Sequence, residues 1–339
     1  MRRVILRKKC ILSCIIGCML ITFVACGNAN NKNAANNEGV ANNTESVVDR
    51  EVDDNQTKGL SYADLVGVEF DLSSGAGAWA TSITIDADGT FEGNYHDSEM
   101  GDSGADYPNG TLYESDFTGK FGELEKVDDY TYKTTVVEIN YKNEVGTEKI
   151  EDCTRYVQAE AYGLSDGKDF YFYLKGKKIA DLPDGFMPWI QNSINESKDE
   201  TELSIIGLYN ETMELGFCGY SMLENYDAKY QSLLEESKEI DFALEHDDMT
   251  QYDYNVTSEY YYEIWDDHLN YLWTILKGKL SEEEMSKLKT EEQAWIKQKD
   301  KAMEEAAAEY EGGSMASMVY YNKGVELIKE RVLVLQKYL

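Results

Sequence analysis

The chain has 339 residues, with 64 Asp or Glu against 32 Lys or Arg and a net charge of −32. Such a molecule repels nucleic acid and anionic surfaces, and it draws cationic proteins over long range. It has three histidines and six cysteines; four of the cysteines fall within the first 26 residues, and the remaining two, Cys153 and Cys218, do not make a disulfide scaffold.

Residues 1–25 read as an export signal. Arg2, Arg3, Arg7, Lys8 and Lys9 open the chain without an acid, an apolar stretch occupies residues 11–25, and a small residue, Ala25, precedes Cys26. An apolar run of 15 residues falls short of the roughly 20 needed to span a bilayer, which argues against a transmembrane anchor. Phe23, Val24, Ala25 and Cys26 resemble the lipobox of bacterial lipoproteins, although Phe23 departs from the usual leucine. A second candidate, Cys18 after Ile15, Ile16 and Gly17, would leave a very short apolar core. The resemblance implies cleavage before Cys26 and a diacylglyceryl thiol, whose two chains suffice for stable anchoring. The expected location is the extracytoplasmic face of the cell membrane. Loss of the five basic residues in 1–25 takes the net charge from −32 to −37.

Residues 26–59 are rich in Asn and hold no aromatic side chain, the composition of a flexible tether. From 60 to 222 the pattern is that of strands. Residues 79–85 alternate with period two, Asp86, Ala87, Asp88 and Gly89 turn, and residues 90–95 return, which is a hairpin signal. Further runs at 117–121, 130–141, 154–158 and 170–174 extend it into an antiparallel barrel or sandwich. The Asp86 to Gly89 turn lacks the additional oxygen ligands of a calcium loop, such as a Glu at its twelfth position. Residues 99–106 read as a mobile, acidic, glycine-rich surface loop and not as an ion site. Cys153 and Cys218 could pair in an oxidising exterior.

From 223 to 339 the period shifts to that of helices. Tyr226, Tyr230, Leu233, Ser237, Ile240 and Leu244 mark one inward face. Tyr254, Ser258, Tyr261, Trp265, His268, Leu272 and Leu276 mark the next. Ser281 and Glu284 form a capping box opening a third helix, whose inward face is expected at Leu288, Trp295, Ile296, Met303 and Tyr310. Gly312 and Gly313 stop it, and Ser314 is placed to cap a fourth, with Met318, Tyr321, Val325, Ile328, Val332, Leu335 and Leu339 inward. The fold expected is thus α+β in two parts, a β barrel or sandwich followed by an antiparallel four-helix bundle.

Several residues of the helical part also follow a known order. Thr250, Gln251, Asn255, Asp266, Leu269 and Asn270 precede Leu280, Ser281 and Leu288. Then come Glu292, Gln293, Trp295, Ile296, Lys299, Asp300, Gly312, Gly313, Ser314 and finally Arg331. This order resembles the lysozyme inhibitor LprI-like domain. Lys299 stands where that family has arginine, and Met303 and Lys323 stand at its cysteine positions, so no family-type disulfide forms. The resemblance implies an exterior protein acting on lysozyme or another cationic cell-wall hydrolase.

The residues themselves read as structure: Trp295 as core, Asp300 with Arg331 as an interhelical ion pair, and Gln293 as a hydrogen-bonding partner of a neighbouring helix. Asn270 belongs to the same motif. Gly312, Gly313 and Ser314, beside Glu304, Glu305, Glu309 and Glu311, form a candidate docking edge for a cationic partner. No catalytic residue, cofactor or metal site is expected. His96 (read as lying in a loop), His246 and His268 lack neighbours at metal-ligand spacing, and no nucleophile or phosphate-binding motif occurs. A second reading gives the tyrosine-rich β part a ligand or envelope component to bind.

Overall fold

A computed structural model describes residues 59–191 and 201–339. The signal at 1–25, Cys26 and the tether up to residue 58 lie outside the described residues.

Twelve strands share one sheet: β1 (Val68–Ser73), β2 (Trp79–Ile85), β3 (Thr90–Glu99), β4 (Thr111–Phe121), β5 (Glu125–Asp128), β6 (Thr131–Thr134), β7 (Val136–Tyr141), β8 (Glu148–Glu151), β9 (Thr154–Gln158), β10 (Phe170–Tyr173), β11 (Ile206–Asn210) and β12 (Leu215–Ser221). All pairings are antiparallel except β4 with β9. The sheet returns on itself. β6 pairs with β10 while β7, one residue further along the chain, pairs with β4. The segment 131–141, bent at Thr135, therefore bridges β10 and β4, and β12 pairs with β1. With β6 and β7 counted as one bent strand, this strand, β1 to β4 and β10 to β12 make eight antiparallel neighbours that close into a barrel, and β5, β8 and β9 lie outside the ring.

Alternation fills its inside. Phe70, Leu72, Ile83, Ile85, Phe91, Phe117, Phe121, Phe170, Phe172, Leu208 and Phe217 form one buried cluster. Each such side chain contributes roughly 1.5–3 kcal/mol of burial. The 3-10 turn Tyr62–Leu65 corks one end. The Tyr62 ring stacks on Phe121, and its hydroxyl donates to the Gly122 carbonyl at 2.8 Å. The segment from Ala161 to Leu164 covers the other end, where Thr81 Oγ1 donates to the Tyr162 carbonyl and Asn210 Nδ2 to the Gly163 carbonyl.

Four long helices follow a single turn at α1 (Met187–Ile190): α2 (Met222–His246), α3 (Gln251–Lys279), α4 (Glu282–Ala308) and α5 (Ala316–Leu335). They run in alternating directions, with α3 and α5 as the central pair flanked by α2 and α4. The strand β12 passes straight into α2, and Ser221 caps the helix through the Glu224 N–H. Thr250 with Asp253, and Ser281 with Glu284, form capping boxes. None of the helices among the described residues is long and apolar enough to cross a membrane.

The bundle joins the barrel around one rim. The Met222 N–H donates to the Gly67 carbonyl, Lys229 pairs with Glu69 at 3.0 Å, and Lys277 pairs with Asp86. Gly278 lets α3 touch the chain there. A Cβ at Gly278 would lie 2.7 Å from the Val66 carbonyl oxygen.

Several local expectations need correction. His96 lies in β3, buried, because period two carries the strand on through Glu99. The segment 99–106 is tied down through Asp102, which accepts from Tyr113 and Arg155. Cys153 is exposed in the tight turn between β8 and β9, whereas Cys218 is buried in β12 with its thiol donating to the Trp189 carbonyl at 3.4 Å, so no disulfide joins them. α4 ends at Ala308, before the glycines. Ser314 does not cap α5, whose N-cap is Met315 without a side-chain bond. Ile296 and Tyr310 are exposed. The inward stripe of α4 is instead Leu288, Glu292, Lys299 and Met303, with Trp295 half-buried. At the α4–α5 contact, Met303 lies against Gly324, where a Cβ would meet its Cε at 2.7 Å.

Candidate functional site

Helices of 25, 29 and 27 residues rise about 1.5 Å per residue, so their far ends come level. The α2–α3 connection and the α4–α5 connection therefore meet at the end of the bundle away from the barrel. They are clasped together there. Asn255 Nδ2 donates to the Ser314 carbonyl at 2.9 Å, and Gln251 Nε2 reaches Asn255 Oδ1 at 3.0 Å and Met318 Sδ at 3.8 Å. Below the clasp, Tyr321 donates to Glu259 at 2.9 Å.

This tip gathers the candidate docking residues. Glu304, Glu305, Glu309, Glu311, Gly312, Gly313 and Ser314 are all exposed. Gly312 takes φ +75°, which only glycine adopts without strain. The second connection adds residues that sequence reasoning missed. Glu245 and Asp248 are exposed, and Asp247 is half-buried. Phe242 and Tyr252 are each 61 % exposed, and Tyr310 and Met315 are exposed beside the glycines. The His246 ring stacks on Phe242 with centroids 4.4 Å apart, and Lys301 pairs with Glu305 at 3.4 Å. Exposed aromatic side chains on a bundle end rich in carboxylates suit a cationic protein surface, since apolar anchors supply affinity and the charges supply steering.

The motif residues further down are mostly structural. Arg331, 6 % exposed, donates to Glu292 at 2.7 Å and to Glu291 at 2.7 Å, and its guanidinium lies 5.6 Å from the Trp295 ring. It does not pair with Asp300. Asp300 lies two turns further along α4 than Glu292, on the exposed side, 3.6 Å from Lys299. Lys299, buried, donates to the Tyr262 hydroxyl at 2.6 Å. Burial works against its charge, but the Tyr262 hydroxyl and the nearby carboxylates outweigh that and raise its pKa. Gln293 faces solvent. Asn270 is exposed and donates to Asp266 at 3.4 Å. His268 sits among Tyr226, Tyr230 and Tyr271. Burial, helped by the charge of Lys229, pushes its pKa down to about 4, so its ring stays neutral near pH 7. Among the described residues, no cluster of His, Cys, Asp and Glu is arranged to hold a metal ion.

Residues 244–335 match the family model of the lysozyme inhibitor LprI. The match spans α3, α4 and α5 and includes both connections of the tip. No curated protein and no solved structure matches the chain.

Proposed function

We propose that this protein is a non-enzymatic binding protein whose bundle tip docks on lysozyme or a related cationic cell-wall hydrolase and inhibits it. The match of residues 244–335 to the lysozyme inhibitor family carries the reading. The acidic tip with Phe242, Tyr252 and Tyr310 exposed supports it, as does the net charge of −32. Lipid on Cys26 would hold the protein on the extracytoplasmic face of the membrane, where such an enzyme acts on the wall. Mass spectrometry of the native N-terminus tests that attachment.

Association between an acidic tip and a cationic enzyme is steered by charge and weakens as the Debye length shrinks to about 8 Å at physiological salt. The experiment is lysozyme-driven clearing of a cell-wall suspension at low and physiological salt. Inhibition at micromolar protein is expected, falling as salt rises. The triple substitution Glu305→Lys, Glu309→Lys and Glu311→Lys should weaken it by about tenfold or more, chiefly through slower association. No inhibition at micromolar protein in low salt overturns the proposal.

A further inference from the structure

The barrel rim that carries Trp79, opposite the rim joined to the bundle, collects polar and aromatic groups that the fold leaves unused. In the β2–β3 register Trp79 faces Asp97 and Thr81 faces Tyr95. In the β3–β4 register Tyr95 faces Ser115. Period two places all five on the inward face, above Ile83, Phe91 and Phe117. Tyr162, 38 % exposed, lies over them from the covering segment, with its ring 5.3 Å from Trp79 and 6.4 Å from Tyr95. Trp189 extends the row, 6.2 Å from Trp79, and is fixed by its Nε1 donating to the Glu214 carbonyl at 2.8 Å. The result is four contiguous rings, each partly in solvent.

Beside them stand polar groups without partners. Ser115 is only 4 % exposed, and its Oγ makes no hydrogen bond. A buried hydroxyl left unsatisfied is unfavourable and uncommon. Asp97, two residues beyond Tyr95 on the same face, is half-buried.

The chemistry of these groups restricts what could bind. A long apolar ligand has no room, because the barrel below is filled by Phe70, Leu72, Phe117 and Phe172. An anion would meet Asp97. A quaternary ammonium needs rings standing apart around a void, whereas these rings touch one another, Trp79 and Tyr162 nearly at right angles. What remains is an uncharged ligand with C–H faces for the rings and hydroxyls for Asp97, lying on the rim. The segment just before Trp79 is small and low, with Gly75, Ala76, Gly77 and Ala78 and positive φ at both glycines, so nothing bulky flanks the platform on that side. We propose that this rim is a binding platform for a pyranose ring of an uncharged glycan.

The proposal does not depend on lysozyme binding, and its test separates the two. Full-length protein is titrated with tetrasaccharides of β-1,4-glucose, α-1,4-glucose and β-1,4-N-acetylglucosamine, read by calorimetry and tryptophan emission. At least one should bind with a Kd below about 1 mM and shift the emission, since two of the five tryptophans are on the platform. Tyr162→Ala and Asp97→Asn should each weaken that binding by about tenfold, with lysozyme inhibition unchanged. Tyr252→Ala, on the bundle tip, should leave sugar binding intact. Three results would overturn the proposal: no binding of any of the three at about 10 mM, equal binding by the Tyr162 and Asp97 variants, or displacement of the sugar by tetramethylammonium.

Discussion

The barrel and the bundle stabilise their interiors by different means. Inside the barrel, the space between the two covered ends is taken by phenylalanine and aliphatic side chains. The bundle interior contains Arg331 with Glu292, Lys299 against Tyr262, Lys329 against Tyr261, and His268 against Tyr226. An apolar core tolerates slippage between alternative packings, whereas a buried charge accepts only the register that delivers its partner. The bundle's antiparallel register is thus fixed by pairs, and the barrel's by the ring of strand pairings. The cost is that each buried charge depends wholly on its neighbour.

The largest expected effect breaks one such dependence. Arg331→Ala strands Glu292 and uncovers Trp295, and should lower unfolding free energy by about 3–5 kcal/mol in denaturant melts. Phe172→Ala in the barrel should cost a similar amount, about 3–5 kcal/mol. The two differ in rescue. Arg331→Met combined with Glu292→Leu should restore most of the bundle's loss, while no second polar change restores the barrel. If the double variant is as unstable as Arg331→Ala, the pair is not what separates the two interiors.

A somewhat smaller effect is pH-dependent. The folded His268 has a pKa of about 4 against an ordinary 6.5. As pH falls through that window the unfolded chain takes up a proton that the folded chain refuses. Stability held above pH 6.5 is therefore lost on acidification, by at most about 3 kcal/mol. His268→Phe should flatten the dependence of melting temperature on pH between about 6.5 and 4, and an unchanged slope would remove His268 as its source. The smallest effect lies at the seam. Gly278→Ala places a Cβ 2.7 Å from the Val66 carbonyl oxygen, at a net cost of about 1–2 kcal/mol once the helix-propensity gain is offset. Amide exchange around residues 66–67 should quicken in that variant.

What could be read in advance follows the same division. The alternation of 79–85, the Ser281–Glu284 box and the apolar seam of α5 are local signals, and the structure carries each. The barrel's closure is not local. Nothing around Thr135 says that one half of a strand will pair with β10 and the other with β4. β11 and β12 are obscured by Gly207, Gly216 and Gly219, which make room for Phe186 and Val68. On α4 the inward stripe was misplaced toward Ile296 and Tyr310, because Glu292 and Lys299 look like solvent residues until their partners on other helices are known. The tip was half visible. Its glycines and glutamates stand out in the sequence, but the arrival of Phe242, Asp247 and Tyr252 at the same end of the bundle depends on matched helix lengths. Asn255 showed only as part of a family pattern, and its role as the clasp appears with the Ser314 carbonyl.

The unbroken passage from β12 into α2 also bears on modularity. The family match begins at residue 244, at the end of α2, so most of the helix that completes the bundle lies outside the match. Trp265 donates to Ser237 of that helix at 3.0 Å, Tyr260 to Glu236, and Gln336 to Tyr226 at 2.8 Å. A transplant of the matched segment into another host would arrive without its borrowed quarter and with an aromatic flank laid bare.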